Sequence, residues 1–257
     1  MDSTMIVQSK QVLRRLISSI GYDVRCIKHE PSPMLLADNQ IPFGFRHLLA
    51  DYLHRKGSDD FFFIQVGAFD GIQCDPLYDY VQRHKWSGVL LEPQRKAFEQ
   101  LTENYKSQPQ LRLMNAAIAE KPGSCTLYTL AGEGLPPWCE GMASFDRDVL
   151  LKHQYLISDL SSRIREEQVE CVTFESMLPS DSSQEVDLLQ VDTEGHDAQI
   201  IAMFPLERVK PSIIHFESKH IPKAELETCL TRLADHRYVF ARDGGEDMIA
   251  CLASILK

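Results

Sequence analysis

Short apolar runs alternate with amphipathic stretches along the chain after residue 60. The first run, 61–66, is apolar except for one glutamine, as expected of a strand that is buried on both faces. Further apolar runs follow at 88–91, 111–114, 186–191 and 212–216. Helical periodicity lies between the runs, at about 75–85, 94–106, 196–204 and 222–235. This alternation predicts an α/β fold with a doubly wound, mostly parallel sheet and helices on both faces.

The two ends of the chain depart from this alternation. Residues 6–20 and 45–55 have the spacing of amphipathic helices, the second of them ending at Lys56-Gly57. We therefore assign residues 1–57 to an N-terminal helical cap and residues 58–257 to the main domain. The last two apolar runs, 237–241 and 247–253, are adjacent in sequence, which predicts an antiparallel hairpin at one end of the sheet.

The interval 131–170 interrupts the pattern. It begins with several glycines and prolines, and the residues at about 145–166 form a polar stretch that we predict to be helical. Insertions of this length in a compact domain are usually functional or disordered. Because Trp138 and Met142 are available to pack, we expect an ordered lid in which Trp138, Met142 and Ser144 contact the substrate.

Composition excludes several classes of partner. Lys and Arg number 27 against 37 Asp and Glu, a net charge of −10, so we expect no nucleic-acid partner. The seven cysteines show no CxxC spacing, which argues against a disulfide framework or a cysteine zinc site. The sequence shows no signal peptide and no apolar run long enough to span a membrane. We therefore expect a cytoplasmic protein without stable membrane insertion.

The first predicted strand runs into a turn with glycines at both ends, Gly67 to Gly71. Ligands of open α/β sheets bind outside the carboxyl ends of the strands. A dinucleotide site needs GxGxxG, whereas this turn lacks the middle glycine and carries Asp70, which would repel a diphosphate. On the glycines alone, a plain strand-to-loop turn is an equal alternative. The turn favours a cofactor with no phosphate and a positive or zwitterionic part, properties that S-adenosylmethionine has.

Polar residues also end the second and third predicted strands. Glu92 follows the second strand, where a carboxylate can accept hydrogen bonds from both hydroxyls of a ribose. The alternative is an acid that stabilises the N-terminus of the next helix. After the third strand, Ala116 leaves room for a flat adenine, and the amide of Asn115 is placed to hydrogen-bond it.

Ionisable side chains cluster after the fourth and fifth predicted strands. We interpret Asp197 as an acid that serves the dipole of the next helix, and His215 as a buried core histidine. The other members have two alternative roles, to position a nucleophile and accept its proton or to bind a divalent cation. These members are Asp192, Glu194, His196 and Glu217. Their spacing matches no specific metal motif, so we expect no metal.

Four segments in this order resemble the FkbM-type S-adenosylmethionine-dependent methyltransferases. They are 63–71 (FIQVGAFDG), 86–93 (WSGVLLEP), 115–118 (NAAI) and 186–197 (VDLLQVDTEGHD). The resemblance implies a Rossmann-like class I methyltransferase fold, with seven mostly parallel strands and an antiparallel final strand. It also implies methyl transfer from S-adenosylmethionine, usually to a hydroxyl of a small molecule or sugar, as in natural product biosynthesis.

Residue roles follow from the motifs and the resemblance together. We assign catalysis to His196, Asp192 and Glu194. We assign cofactor binding to Gln65, Gly67, Asp70, Gly71, Glu92, Asn115, Ala116 and Asp192. We assign binding of the small-molecule acceptor to Trp138, Met142, Ser144 and Glu217.

Two other functions stay open on the sequence. A nicotinamide-dependent oxidoreductase could use a similar sheet, although the missing GxGxxG disfavours it. A non-catalytic protein could keep the fold and the cofactor and lack the transfer chemistry. The sequence also leaves open the identity of the acceptor, the atom that is methylated and whether the protein forms a homo-oligomer.

Overall fold

The computed structural model describes the chain from residue 41 to residue 256, except for 42–43, 58–59, 137–138, 140, 158 and 179–184. All described residues belong to one compact unit, Met34–Lys257. The helix predicted at 6–20 and most of the predicted cap lie outside the described residues.

The strands of this unit, in chain order, are β1 (Phe62–Val66), β2 (Ser87–Leu91), β3 (Leu111–Met114), β4 (Ala117–Ile118), β5 (Gly123–Leu130), β6 (Ala143–Ser144), β7 (Ile164–Val172), β8 (Leu188–Val191), β9 (Ile213–Glu217), β10 (Tyr238–Asp243) and β11 (Asp247–Leu252). The α-helices are α1 (Phe45–Lys56), α2 (Tyr78–His84), α3 (Arg95–Asn104), α4 (Arg147–Leu151), α5 (Leu160–Arg163), α6 (Asp197–Met203) and α7 (Lys223–Asp235).

A seven-stranded sheet forms the centre of the molecule, in the order β10-β11-β9-β8-β1-β2-β3. The five strands from β9 to β3 pair in parallel. Strand β11 is antiparallel to both β9 and β10. The predicted mostly parallel sheet and its terminal hairpin are therefore confirmed.

Helices cover both faces of this sheet, because alternate residues of a strand point to opposite faces. On one face, Ile64 of β1 packs in the same hydrophobic cluster as α6 and α7. On the other face, Phe63 packs in a cluster with α1, α2 and α3. Helix α1, which we assigned to the N-terminal cap, thus covers the central sheet. It is fixed there by Tyr52, whose hydroxyl donates to the buried carboxylate of Asp187 at 2.6 Å.

A second sheet of four strands, β4-β7-β5-β6, is inserted after β3. In place of the one helix predicted at about 145–166, the structure has the short helices α4 and α5 with a turn at 152–156 between them, and the last predicted residues, from Ile164, begin β7. Near the end of β7, exposed and buried residues alternate, as in a strand with one buried face. The strand pairs with β5 in an antiparallel ladder of eight residue pairs. Pairing with β5 overrides the helical pattern of this segment.

Strands β5 and β7 also carry a disulfide, between Cys125 and Cys171. The scattered cysteine spacing did not predict it. The two residues are 46 apart in sequence, and only the antiparallel ladder brings them together. No helix among the described residues is long and apolar enough to cross a membrane.

Candidate functional site

A cavity of about 280 Å³ opens at the carboxyl ends of β1, β2 and β8. Strand β1 lies between the other two. The connections that follow β1 and β8 run in opposite directions, because the strand order reverses at this point of the sheet. Such a reversal leaves a crevice at the carboxyl ends of the strands. Each strand end contributes to the wall, as does the second sheet with its loop. Lining residues include Gly67, Glu92, Asp192, His196, Ser144 and Phe145.

Gly67 forms the floor of the cavity where β1 ends. Its φ of +80° lies in the region that side chains rarely adopt. A Cβ at this position would lie 1.8 Å from the backbone oxygen of Asp192. Glycine is therefore required for the close approach of the β1 turn to the end of β8.

Glu92 is the buried acid of the cavity, with 3% of its surface exposed. One carboxylate oxygen accepts from the backbone N–H of Phe69 and the other from that of Gln94, both at 2.8 Å. Burial, assisted by repulsion from Asp192, raises the pKa of Glu92 to about 7. The carboxylate is fixed in position, and each oxygen keeps a lone pair for a further donor.

Asp70 and Gly71 shape the turn without lining the cavity. The carboxylate of Asp70 accepts from the backbone N–H groups of Ile72 and Gln73, both at 2.8 Å. A Cβ on Gly71 would lie 2.3 Å from the ring of Tyr105. Both residues therefore fix the conformation of the loop, and the predicted direct contacts with a cofactor are not supported by the lining of the cavity.

Asn115 and Gln65 likewise lie outside the lining, whereas Ala116 is part of it. The side-chain amide of Asn115 donates to the carbonyls of Glu92 and Pro93, at 2.8 and 3.0 Å. It holds the backbone of Glu92 in place, so the donors that we predicted to reach adenine are already used. Gln65 is buried within β1, with 3% of its surface exposed.

Asp192 ends β8 and faces the cavity. Its carboxylate makes no hydrogen bond within the described part of the chain. The side chain is exposed to the open cavity, and the surrounding protein together with repulsion from Glu194 raises its pKa above the ordinary range of an aspartate. The side chain is thus suited to a cationic or hydrogen-bond-donating ligand.

His196 precedes α6 and also lines the cavity. Its ring lies 5.4 Å from that of Phe145, and burial lowers its pKa. The imidazole is therefore neutral near pH 7 and able to accept a proton.

The two residues that the sequence assigned to structural roles are buried. Asp197 is fully buried and accepts from the backbone N–H of Gly195 at 3.2 Å. His215 is 5% exposed and its Nδ1 lies 2.8 Å from the side-chain oxygen of Gln190. Neither lines the cavity.

Glu194 and Glu217 lie at the ends of neighbouring strands with a residue that the sequence did not reveal, His220. The imidazole Nε2 of His220 is 3.8 Å from Glu194 and 3.9 Å from Glu217. Glu194 lines the cavity and Glu217 does not. His220 follows β9 in a loop and belongs to no motif, so only the strand order brings it close to Glu194.

Of the residues assigned to acceptor binding, some line the cavity and others do not. Ser144 lines the cavity, and its hydroxyl accepts from the backbone N–H of Asp146 at 3.1 Å. Met142 instead packs in a small hydrophobic cluster with Leu150, and Trp138 lies outside the described residues. The loop before β6 is tied to the residue that precedes α3, since the amide of Gln94 donates to the carbonyl of Gly141 at 3.2 Å.

Comparison of the folded chain with solved structures finds distant likenesses. The crystal structure of methyltransferase FkbM from Methylobacillus flagellatus KT has a TM-score of 0.46 and 10% identity, over 76% of this chain and 44% of that chain. The chain therefore spans less than half the length of that protein. The precorrin-6y C5,15-methyltransferase from Geobacter metallireducens GS-15 has a TM-score of 0.41 and 12% identity, over 81% of this chain and 87% of that one. The N-terminal domain of human METTL16 in complex with SAH has a TM-score of 0.41 and 10% identity, over 93% and 79%.

Comparison of the sequence gives the family. No curated protein matches the chain. The profile of the methyltransferase FkbM domain matches residues 65–243, a range that begins near the end of β1 and includes β2, β8 and β9 with the polar residues at their carboxyl ends. The chain belongs to the FkbM methyltransferase family.

Proposed function

We propose that the protein transfers the methyl group of S-adenosylmethionine to a hydroxyl of a small molecule. The observation that carries this proposal is one cavity bordered by the Gly67 turn, the fixed carboxylate of Glu92 and the free carboxylate of Asp192. Membership of the methyltransferase family supports the same chemistry. Bound in the cavity, the cofactor supplies an activated methyl group on a sulfonium.

The described residues can hold such a cofactor in one orientation. Glu92 would accept hydrogen bonds from the ribose hydroxyls, because its oxygens are fixed and have free lone pairs. Ala116 and Ile118 give an apolar wall for the adenine. Asp192, beside Gly67, would receive the positive amino-acid end of the cofactor. His196 and Glu194 line the same cavity and would be available to the acceptor.

His196 is the proposed proton acceptor. Its imidazole would accept the proton of the acceptor hydroxyl as the acceptor oxygen is methylated. Because burial lowers its pKa, His196 is already neutral near pH 7. Asp192 and Glu194 are the next candidates for this role. Most of the acceleration would come from alignment and exclusion of water.

The loop between β5 and β7 supports a small acceptor. Phe145 closes one side of the cavity against His196, and Gly141 is held by Gln94. A covered cavity of about 280 Å³ suits a small molecule better than a macromolecule. The net charge of −10 also disfavours a nucleic-acid acceptor. The cytoplasmic location and a role in natural product biosynthesis stay predictions from the sequence.

Calorimetry tests the cofactor assignment. We expect S-adenosylhomocysteine to bind and NADH not to bind, and we expect Glu92→Gln to weaken S-adenosylhomocysteine binding by about 1–3 kcal/mol. Glu99→Gln is the matched control, because Glu99 is exposed on α3 and pairs with Arg95. Binding of NADH without S-adenosylhomocysteine would contradict the proposal and favour the oxidoreductase.

A second measurement tests the acceptor class. The enzyme is incubated with radiolabelled S-adenosylmethionine and a cell extract, and the label is followed. We expect it in the small-molecule fraction, in a bond stable to mild base as an ether is. Label in RNA or protein would refute the acceptor class and leave the cofactor assignment intact.

A further inference from the structure

Three ligand-type side chains converge at the carboxyl ends of β8 and β9. One carboxylate oxygen each from Glu194 and Glu217 and one ring nitrogen of His220 lie within 4.8 Å of one another. The nitrogen is 3.8 and 3.9 Å from the two oxygens, which is too far for hydrogen bonds. The three groups thus lie close together with no hydrogen bond joining them. We infer that Glu194, Glu217 and His220 bind a divalent cation beside the cavity.

The second oxygen of Glu217 gives independent support. This Oε2 is inaccessible to solvent and has no hydrogen-bond partner within the described part of the chain. Only 16% of the side chain is exposed. A buried carboxylate oxygen without a donor is costly, and metal coordination is one of the ways in which proteins satisfy such a group.

The charges around Glu217 also favour a cation. The carboxylates of Glu194, Asp192 and Asp197 lie close enough to repel that of Glu217. The ammonium of neighbouring Lys219 lies 3.2 Å from Glu246 and offsets the repulsion only in part. A divalent ion would compensate this excess of negative charge.

The ligand set indicates which cation fits. Carboxylate oxygens suit Mg²⁺, Ca²⁺ and Mn²⁺, whereas an imidazole suits transition metals. Two oxygens and one nitrogen therefore favour Mn²⁺ over Mg²⁺. With three protein ligands, positions stay open for a further oxygen. Because Glu194 lines the cavity, and if the proposed function holds, one open position would receive the hydroxyl oxygen of the acceptor and favour its ionisation.

This inference revises the expectation of no metal. That expectation rested on the spacing of Asp192, Glu194, His196 and Glu217. The cation site described here uses two of those residues with His220 and excludes His196, which lies against Phe145. Neither the spacing of the ligands nor a motif could have identified this set.

Manganese binding can be measured without cofactor or acceptor, so the test is separate from that of the proposed function. The full chain is stripped with a chelator and titrated with Mn²⁺, and free Mn²⁺ is counted by electron paramagnetic resonance. We expect one site with Kd below about 1 mM, weakened at least about tenfold by Glu217→Gln and by His220→Ala. Glu227→Gln is the charge-matched control, because Glu227 lies on α7 beside Lys223, and it should leave the Kd unchanged.

Two results would overturn the inference. The first is no Mn²⁺ bound by the wild type at about 1 mM. The second is equal weakening by Glu227→Gln and Glu217→Gln, which would indicate attraction to general negative charge. Circular dichroism of each variant confirms the fold, and His220→Gln replaces His220→Ala if the alanine variant does not fold.

Discussion

Replacing Gly67 by alanine should destabilise the protein by more than the usual cost of a left-handed alanine. The added Cβ would lie 1.8 Å from the backbone oxygen of Asp192. That oxygen belongs to the backbone directly after β8, so it cannot move aside as the tip of a flexible side chain could. Relief requires the ends of β1 and β8 to separate by more than about 1 Å, in a sheet packed at the density of a crystal.

The magnitude follows from two contributions. A non-glycine residue at this φ costs about 1–2 kcal/mol. Separation of the strand ends would also weaken the hydrogen bond from the N–H of Asp192 to the carbonyl of Val66, now 3.0 Å, and contacts around it. Each such bond contributes about 1 kcal/mol, so we expect a total loss of about 3–5 kcal/mol.

Urea unfolding of Gly67→Ala and Gly134→Ala separates the two contributions. Gly134 has a similar φ of +74°, but a Cβ there would meet no atom within 4 Å. Gly134→Ala should therefore lose only the conformational part, about 1–2 kcal/mol. Equal losses in the two variants would refute the steric argument and, with it, the close approach of Gly67 to β8.

Other perturbations give separate tests. Asp187→Ala should cost about 3–5 kcal/mol in urea unfolding, because it removes the acceptor of the Phe62 N–H and the buried partner of the Lys56 ammonium and leaves the Tyr52 hydroxyl with Ser212 alone; a loss below about 1 kcal/mol would contradict the buried geometry. If the ribose donates to the ionised form of Glu92, whose pKa is about 7, cofactor affinity should rise as pH increases through that value, and calorimetry should show a flat profile for Glu92→Gln. His196→Ala should lower the methyl-transfer rate about 10²–10⁴-fold, and the wild-type rate should fall only below the usual histidine range; a loss under about tenfold would make His196 a lining residue. Hydrogen exchange in 131–170 should slow when cofactor and acceptor bind, and unchanged exchange would exclude the predicted lid.

The parallel strands were predictable because their burial on both faces requires continuous apolar runs. All four residues of β8 are buried, and a run of that length is shorter than a typical buried helix. Strand β7 was not predictable in the same way, since most of its first residues are exposed and it is stabilised by pairing with β5, a non-local contact. Propensity in such strands depends on their neighbours.

The residues of the candidate site show the same difference between features set by local sequence pattern and features set by non-local contacts. Gly67 and Glu92 were identified because the strand-turn pattern fixes where they lie. The sequence placed Asn115 correctly after β3, but its side-chain amide donates to the backbone of Glu92. Which group the amide contacts depends on the side-chain rotamer, and the sequence position does not determine that. His220 depends on β9 lying next to β8, which sequence spacing does not encode.

The ladder between β5 and β7 has a consequence for changes in the segment that it closes. Leu130 and Ile164 are directly paired at the end of the ladder, so this segment begins and ends at one point of the fold, and within it β6 adds a further strand to the same sheet. Lengthening such a closed loop is thermodynamically mild, about 0.6 kcal/mol for each doubling. The segment that covers the cavity can therefore be shortened, extended or exchanged while the Gly67 turn and Glu92 keep their positions. New acceptors could be accommodated in this way without rebuilding the part of the cavity proposed to hold the methyl donor.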